Sequence, residues 1–264
     1  MRAGVAPGDR VAFLAPNVPD LLAAHCAVLL AQATLVAINT RLNADEVGYS
    51  LNHSGAKVVF ADPELASQVK EAPGGLRARP LLVNVEDPVA GATGSPLDGP
   101  TFAEFVDGAG SLAIPGAIDD EERLTSINDT SGTTGRPKGV MYTHRGAFLN
   151  ALAEIIVHGL GPDSVYLWTL PLFHCNGWCF PWAVTGAGAT HVLLRRVDPP
   201  EVLRCIRTHR VTHLNAAPTV LLMLAEHPAA KSVEFGELPR TSTGKIQKFR
   251  LRDKEWAGRE KRIQ

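Results

Sequence analysis

Between residues 130 and 140 the chain reads Thr130-Ser131-Gly132-Thr133-Thr134-Gly135-Arg136-Pro137-Lys138-Gly139-Val140, a run that concentrates groups able to hold phosphate. Its glycines permit a tight backbone whose amide N–H groups converge, Ser131, Thr133 and Thr134 add hydroxyl donors, and Lys138 adds a positive charge. Such a loop can clamp the β- and γ-phosphates of a nucleotide. It is not the GxxxxGK[ST] loop of P-loop NTPases, because Lys138 precedes Gly139 and no Ser or Thr follows to meet magnesium. Composition alone leaves a second reading open, that of an ordinary flexible Gly/Ser/Thr loop. Near the far end, Lys245 sits in a tail where Pro239–Gln264 carries nine Lys or Arg against three Asp or Glu. By charge alone, that tail reads as a solvated helix face.

A loop of this kind needs a scaffold, and the chain has the material for one. Its 264 residues correspond to one large domain, or one domain plus a fragment, at about 150 residues per domain. With 45% hydrophobic and 20% charged residues, a real core is available and global disorder is excluded. The formal net charge of −1 supplies no overall field for a polyanion, so nucleic acid is not an expected partner. Cys26, Cys175, Cys179 and Cys205 form neither a CxxC pair nor the dense spacing of a secreted scaffold, and no leader pattern opens the chain. A cytoplasmic setting is the expectation. The apolar stretch Leu21–Ile38 is interrupted by His25, Gln32 and Thr34, which points to a buried helix running into a buried strand and to no membrane span.

Short β-branched runs alternate with helical patterns: strands at Arg10–Ala15, Leu35–Ile38 and Lys57–Ala61, helices at Asp20–Ala31 and Ala44–His53. The rhythm resumes with strands at Val165–Leu170, His191–Leu194 and Val211–Asn215, and helices at Asn176–Thr185, Pro200–His209 and Thr219–Glu226. The expected class is α/β, with mainly parallel sheets flanked by helices. Strand patterns at Leu124–Asn128 and Val140–Thr143 bracket the phosphate loop. Glu71–Pro115 is crowded with Gly, Pro, Ala and Asp and reads as a surface excursion, ordered only at Leu81–Val85 and Phe102–Val106. The formal GxGxxA at Gly108–Ala113 follows a helical pattern and precedes Pro115, so it is set aside as a dinucleotide fingerprint.

All ten positions from Thr130 to Gly139 fit TSGTTGxPKG, the signature of the adenylate-forming (AMP-binding) superfamily of acyl-CoA synthetases, firefly luciferase and peptide-synthetase adenylation domains, which this sequence resembles. The resemblance extends through Gly8–Val11, Ile38–Leu42, Thr143–Gly146 and Pro171–Gly177, and Pro239–Lys248 is similar to the family's last core motif, P-x-T-x-x-G-K-[IV]-x-[KR]. The wording around Asn39–Asn43 and Phe173–Trp178 looks most like acyl-CoA synthetases that act on fatty or aryl acids.

The resemblance implies a reaction in two halves: ATP, with Mg2+, converts a carboxylic acid to an acyl adenylate and pyrophosphate, and the CoA thiol then displaces AMP. It implies that Thr130, Ser131, Gly132, Thr133, Thr134, Gly135 and Lys138 hold the nucleotide's phosphates. Lys245 is then catalytic, its ammonium reaching the carboxylate and the α-phosphate together. His174 falls beside the acyl and thiol path, with Trp178 and Phe180 lining an apolar pocket. Core packing is the competing reading of this segment. A metal held by Cys175 and Cys179 is not expected, because His209 and His213 straddle a helix end and a strand instead of sharing a face.

Between His227 and Leu238 the family pattern would insert an aromatic-Gly-x-Thr-Glu segment for adenine and magnesium, a Thr-Gly-Asp segment for ribose, and an arginine-bearing hinge; none has a counterpart here. The sequence therefore reads as a truncated member with an internal deletion and an abbreviated start. A partial N-terminal AMP-binding domain, 1–230, joins a remnant of the small C-terminal domain, 231–264. Two expectations follow. One is an AMP-forming acid–CoA ligase using ATP and CoA; the other is a noncatalytic fragment serving as an interaction or nucleotide-binding module, with self-association through exposed surface.

Overall fold

A computed structural model describes residues 3–77, 79–87, 94–107, 118–129 and 137–228. The first sheet is built from β1 (Arg10–Leu14), β2 (Thr34–Ala37), β3 (Val58–Ala61), β4 (Leu81–Asn84), β5 (Leu124–Asp129) and β6 (Gly139–Thr143), in the order β4-β3-β1-β2-β5-β6. All neighbours are parallel except β5 and β6, which pair antiparallel. A second sheet, β8-β7-β9, is parallel throughout: β7 (Val165–Trp168), β8 (Thr190–Leu193) and β9 (His213–Leu214). The central strands β2 and β3 are buried at every residue, as expected of parallel strands covered on both faces.

Helices α1 (Pro19–Leu30), α2 (Ala44–Ser54), α3 (Ala66–Lys70) and α4 (Phe102–Asp107) attend the first sheet. Their boundaries follow from capping chemistry. Asn43 accepts a hydrogen bond from the Glu46 amide at 3.0 Å while Glu46 accepts one from the Asn43 amide at 3.0 Å, and Gly55 closes α2 in the left-handed conformation that glycine adopts without strain. The alternation of β1 sends Phe13 to one face, where it stacks on Phe60 with centroids 4.4 Å apart, and Ala12 and Leu14 to the other.

The second sheet carries α5 (His144–His158), α6 (Cys175–Trp178) and α7 (Phe180–Gly186) on the Tyr166 and Trp168 side, and α8 (Pro199–His209) and α9 (Pro218–Glu226) on the Leu167 side. One apolar cluster runs from Phe13 and Phe60 to Tyr166, Trp168 and Phe180, so the two sheets share a core. Polar ties reinforce it. The Asn17 amide donates to the carbonyls of Trp168 and Leu170 and accepts from the Leu172 amide at 2.8 Å, and the Trp182 indole donates to the His25 carbonyl at 2.8 Å.

Three expectations are corrected. The excursion from Glu71 is not all surface: β4 joins the sheet, and buried Asn84 accepts from the Leu97 amide at 2.7 Å and donates to the Gly99 carbonyl at 2.9 Å, strapping the loop down. The expected helix Asn176–Thr185 is two helices, because Trp178 and Cys179 adopt positive φ of 59° and 65° and Pro181, near the start of α7, has no N–H to continue the ladder. The expected strand Val211–Asn215 shrinks to two residues. Helix α5, for which the sequence pattern gave no expectation, exposes Phe148, Leu149, Leu152, Ile156 and Val157 beside Arg145, so it carries little amphipathic signal. Gly108–Ala113 lies outside the described residues.

Candidate functional site

Strands β5 and β6 form a hairpin whose connection is the candidate phosphate loop. Asp129 at the end of β5 pairs with Gly139 at the start of β6, so the two ends of the loop meet. Helix α2 holds both: the Ser50 hydroxyl donates to the Asp129 carboxylate, and the Tyr49 hydroxyl reaches the Pro137 carbonyl at 3.5 Å. Gly139 is required by its neighbours, since a Cβ there would lie 2.8 Å from the Ile127 methyl. Lys138 is exposed at the foot of the loop. Thr130, Ser131, Gly132, Thr133, Thr134 and Gly135 fall outside the described residues, as does Lys245.

Ser50, Tyr49 and Asp129 were not singled out by sequence, because a serine and a tyrosine within an amphipathic helix carry no motif. Ser50→Ala should cost about 1 kcal/mol of stability by leaving a carboxylate short of a donor. The measurable signature is faster amide hydrogen exchange at Asp129 and Gly139 in the variant; unchanged exchange there would mean that the hydroxyl holds nothing.

The segment carrying His174 and Trp178 packs beside the same hairpin. Tyr142, on β6, has its pKa pushed up to about 12, by burial first and then by the nearby Cys175 and Cys179. His174 is exposed, with Nε2 3.7 Å from the Cys175 sulfur. Trp178 is also exposed, at 56%, and its carbonyl lies 3.4 Å from the Asn150 amide nitrogen of α5. Phe180 corrects the expectation of a pocket wall. It is fully buried, stacks on Tyr166 with centroids 4.8 Å apart, and meets His158 edge-on, so it belongs to the core.

The close approach behind this segment has a local cause. Gly177 has φ 54°, and a Cβ on it would sit 2.5 Å from the Trp168 ring, so α6 can lie against β7 only with glycine at that position. Backbone with positive φ at Cys175, Gly177, Trp178 and Cys179 thus presents His174 and Trp178 outward while the cysteines turn toward Tyr142 and Asn150. Among the described residues, no group of three or more His, Cys, Asp or Glu is placed to hold a metal ion.

The model of the AMP-binding enzyme family matches residues 1–247. The chain belongs to that family. Among the relatives of this chain, 4-hydroxybutyrate–CoA ligase 2 of Metallosphaera sedula is 40% identical over 236 residues, covering 89% of this chain and 43% of that protein. The peroxisomal acetate/butyrate–CoA ligase AAE7 of Arabidopsis thaliana is 37% identical over 241 residues, covering 87% and 42%. In structure, the inhibitor-bound N-terminal domain of FACL13 from Mycobacterium tuberculosis superposes with a TM-score of 0.74 at 27% identity, covering 87% of this chain and 55% of that one. The chain spans less than half the length of these curated relatives. Its α/β architecture is the N-terminal part of an acyl-CoA synthetase-like fold. Among the described residues no helix is long and apolar enough to cross a membrane; Leu21–Ile38 is α1 running into β2.

Proposed function

We propose that this chain serves AMP-forming activation of a carboxylic acid: ATP and the acid give an acyl adenylate and pyrophosphate, and CoA then gives the thioester and AMP. The observation that supports it is the convergence on one hairpin, with α2 clasping both ends of the phosphate loop and α6, the helix beside His174, packed against β5. In this reading Thr130, Ser131, Gly132, Thr133, Thr134, Gly135 and Lys138 cradle the pyrophosphate, whose negative charge grows as the bond to the α-phosphorus breaks. Lys245 neutralises the attacked phosphoryl group, and His174 and Trp178 border the path of the acyl group and thiol. Magnesium travels with the nucleotide's phosphates, as it commonly does. The acid is a fatty or aryl acid.

The domain reading goes with it: 1–230 supplies the loop and 231–264 carries Lys245. About ten extended residues span roughly 33 Å, so a short linker has the reach. ATP–pyrophosphate exchange with acetate, butyrate, 4-hydroxybutyrate and aryl acids tests the reading. Lys138→Ala should lower the exchange rate about a hundredfold, the worth of one donor or charge aimed at a developing anion. Exchange absent from the parent chain, or indifferent to Lys138, would overturn it.

A second reading, an interaction module able to self-associate, is favoured by one observation. Phe148, Leu149, Leu152, Ile156 and Val157 of α5 all stand exposed.

A further inference from the structure

Acid activation, as proposed, calls on His174 and Trp178 and leaves idle the thiols of Cys175 and Cys179. Cys175 opens α6, Cys179 follows its last residue, and both are free thiols. A helical turn of four residues rises about 6 Å, which puts the two Cα atoms within the roughly 4.4–6.8 Å that a disulfide requires. The turn is wound with positive φ at Cys175 (48°), Gly177 (54°), Trp178 (59°) and Cys179 (65°). Non-glycine residues hold that conformation only where their surroundings impose it. Its effect here is to turn both thiols inward, to the side of Tyr142.

The two sulfurs are unequal. Cys175 is half-buried, and His174 Nε2 lies 3.7 Å from its sulfur, a base placed to take the thiol proton. Cys179 is buried; burial raises its pKa, Asn150 opposes the rise, and Glu154 and Cys175 add to it, so it stays a protonated thiol. An accessible thiol beside a base, backed one turn later by a buried thiol, is the arrangement of an attacking and a resolving cysteine. Cys26 on α1 and Cys205 on α8 have no second cysteine on their helices.

We propose that Cys175 and Cys179 are an oxidation site, at which a hydroperoxide converts the two thiols to a disulfide across the α6 turn. His174 takes the Cys175 proton, and the thiolate attacks the terminal peroxide oxygen to give a sulfenic acid. The O–O bond breaks, and the departing alkoxide regains the proton from His174 and leaves as an alcohol. The Cys179 sulfur then attacks the Cys175 sulfur; the S–O bond breaks, and hydroxide leaves as water with the Cys179 proton. Two thiols lose two hydrogens and two electrons, and the peroxide is reduced to alcohol and water. The bridge would take Cys175 out of reach of His174 and pin the turn on which Trp178 stands, so oxidation changes how both exposed side chains are presented. This chemistry does not depend on acid activation by the chain.

The test treats the reduced full chain with one equivalent of hydrogen peroxide, blocks the remaining thiols with iodoacetamide, and maps the peptides by mass spectrometry. The tryptic peptide that follows Arg145 carries both cysteines and should emerge unalkylated and two hydrogens lighter, and should return to the alkylatable form after dithiothreitol. Cys26 and Cys205 should be alkylated as in the untreated chain. Cys179→Ser should abolish the bridge and leave Cys175 as a sulfenic acid that dimedone traps. Both thiols still alkylated after peroxide, a bridge to Cys26 or Cys205, or a Cys175 sulfenic acid that persists in the parent chain without passing to Cys179 would each overturn the proposal. The mapping of the parent chain decides the matter even if the variant fails to fold.

Discussion

Arg195→Met should lower the free energy of unfolding by about 3–5 kcal/mol, the usual consequence of removing one partner of a buried ion pair. Arg195 follows β8 in the second sheet, and its guanidinium grips Asp62, just past β3 in the first, through two hydrogen bonds of 2.8 and 2.9 Å. Asp62 is fully buried, and Glu64 accepts a further bond from Arg195 at 3.0 Å. The loss arises because the Asp62 charge stays in the interior with its main counter-ion gone, not because the pair itself is strongly stabilising. The double variant Arg195→Met with Asp62→Asn should therefore recover part of the loss. Urea unfolding followed by tryptophan fluorescence measures both. A change below about 1 kcal/mol for the single variant would show that the two sheets are held by the shared apolar core alone.

Acidification should destabilise the fold well before carboxylates titrate. His25 is fully buried in α1, its Nδ1–H donating to the Leu21 carbonyl at 2.7 Å; burial lowers its pKa from 6.5 to about 4, only partly offset by the backbone of Leu21 and Leu172. His191 is likewise lowered by burial to about 4. It accepts from the Trp168 indole at Nδ1 at 3.0 Å, which requires the neutral ring with its proton on Nε2, facing Thr185 Oγ1 at 3.0 Å. Each histidine binds a proton more weakly folded than unfolded. Its contribution is therefore whole above pH 6.5 and is lost progressively as pH falls toward 4. For His25 the displacement corresponds to about 3 kcal/mol at its limit. Denaturant midpoints should hold from pH 7.5 to about 6.5 and then fall toward pH 5, and His25→Leu should flatten that fall. A midpoint independent of pH across that window would refute the assignment.

Much of the scaffold was legible because its signals are local. Parallel strands buried on both faces appear as short β-branched runs, and α1, α2 and α8 appear as the helical patterns at Asp20–Ala31, Ala44–His53 and Pro200–His209. The family signature at Thr130–Gly139 was legible for the same reason, since ten consecutive residues carry it. Other features could not be read this way because their causes lie far away in the chain. The break between α6 and α7 depends on Trp168 pressing against Gly177, and the role of Ser50 depends on a strand end 79 residues away. Phe180 looked like a pocket residue by nearness to Trp178; its partners Tyr166 and His158 make it core.

The sequence by itself determined the class of fold and the family, because periodicity and contiguous motifs act over a few residues. Only the tertiary structure decided which segments share the site, how α2 clasps the loop's ends, and that α5 and α9 turn apolar faces outward beside an open strand. Those features depend on contacts between residues distant in sequence, and on which side of a helix the rest of the chain covers.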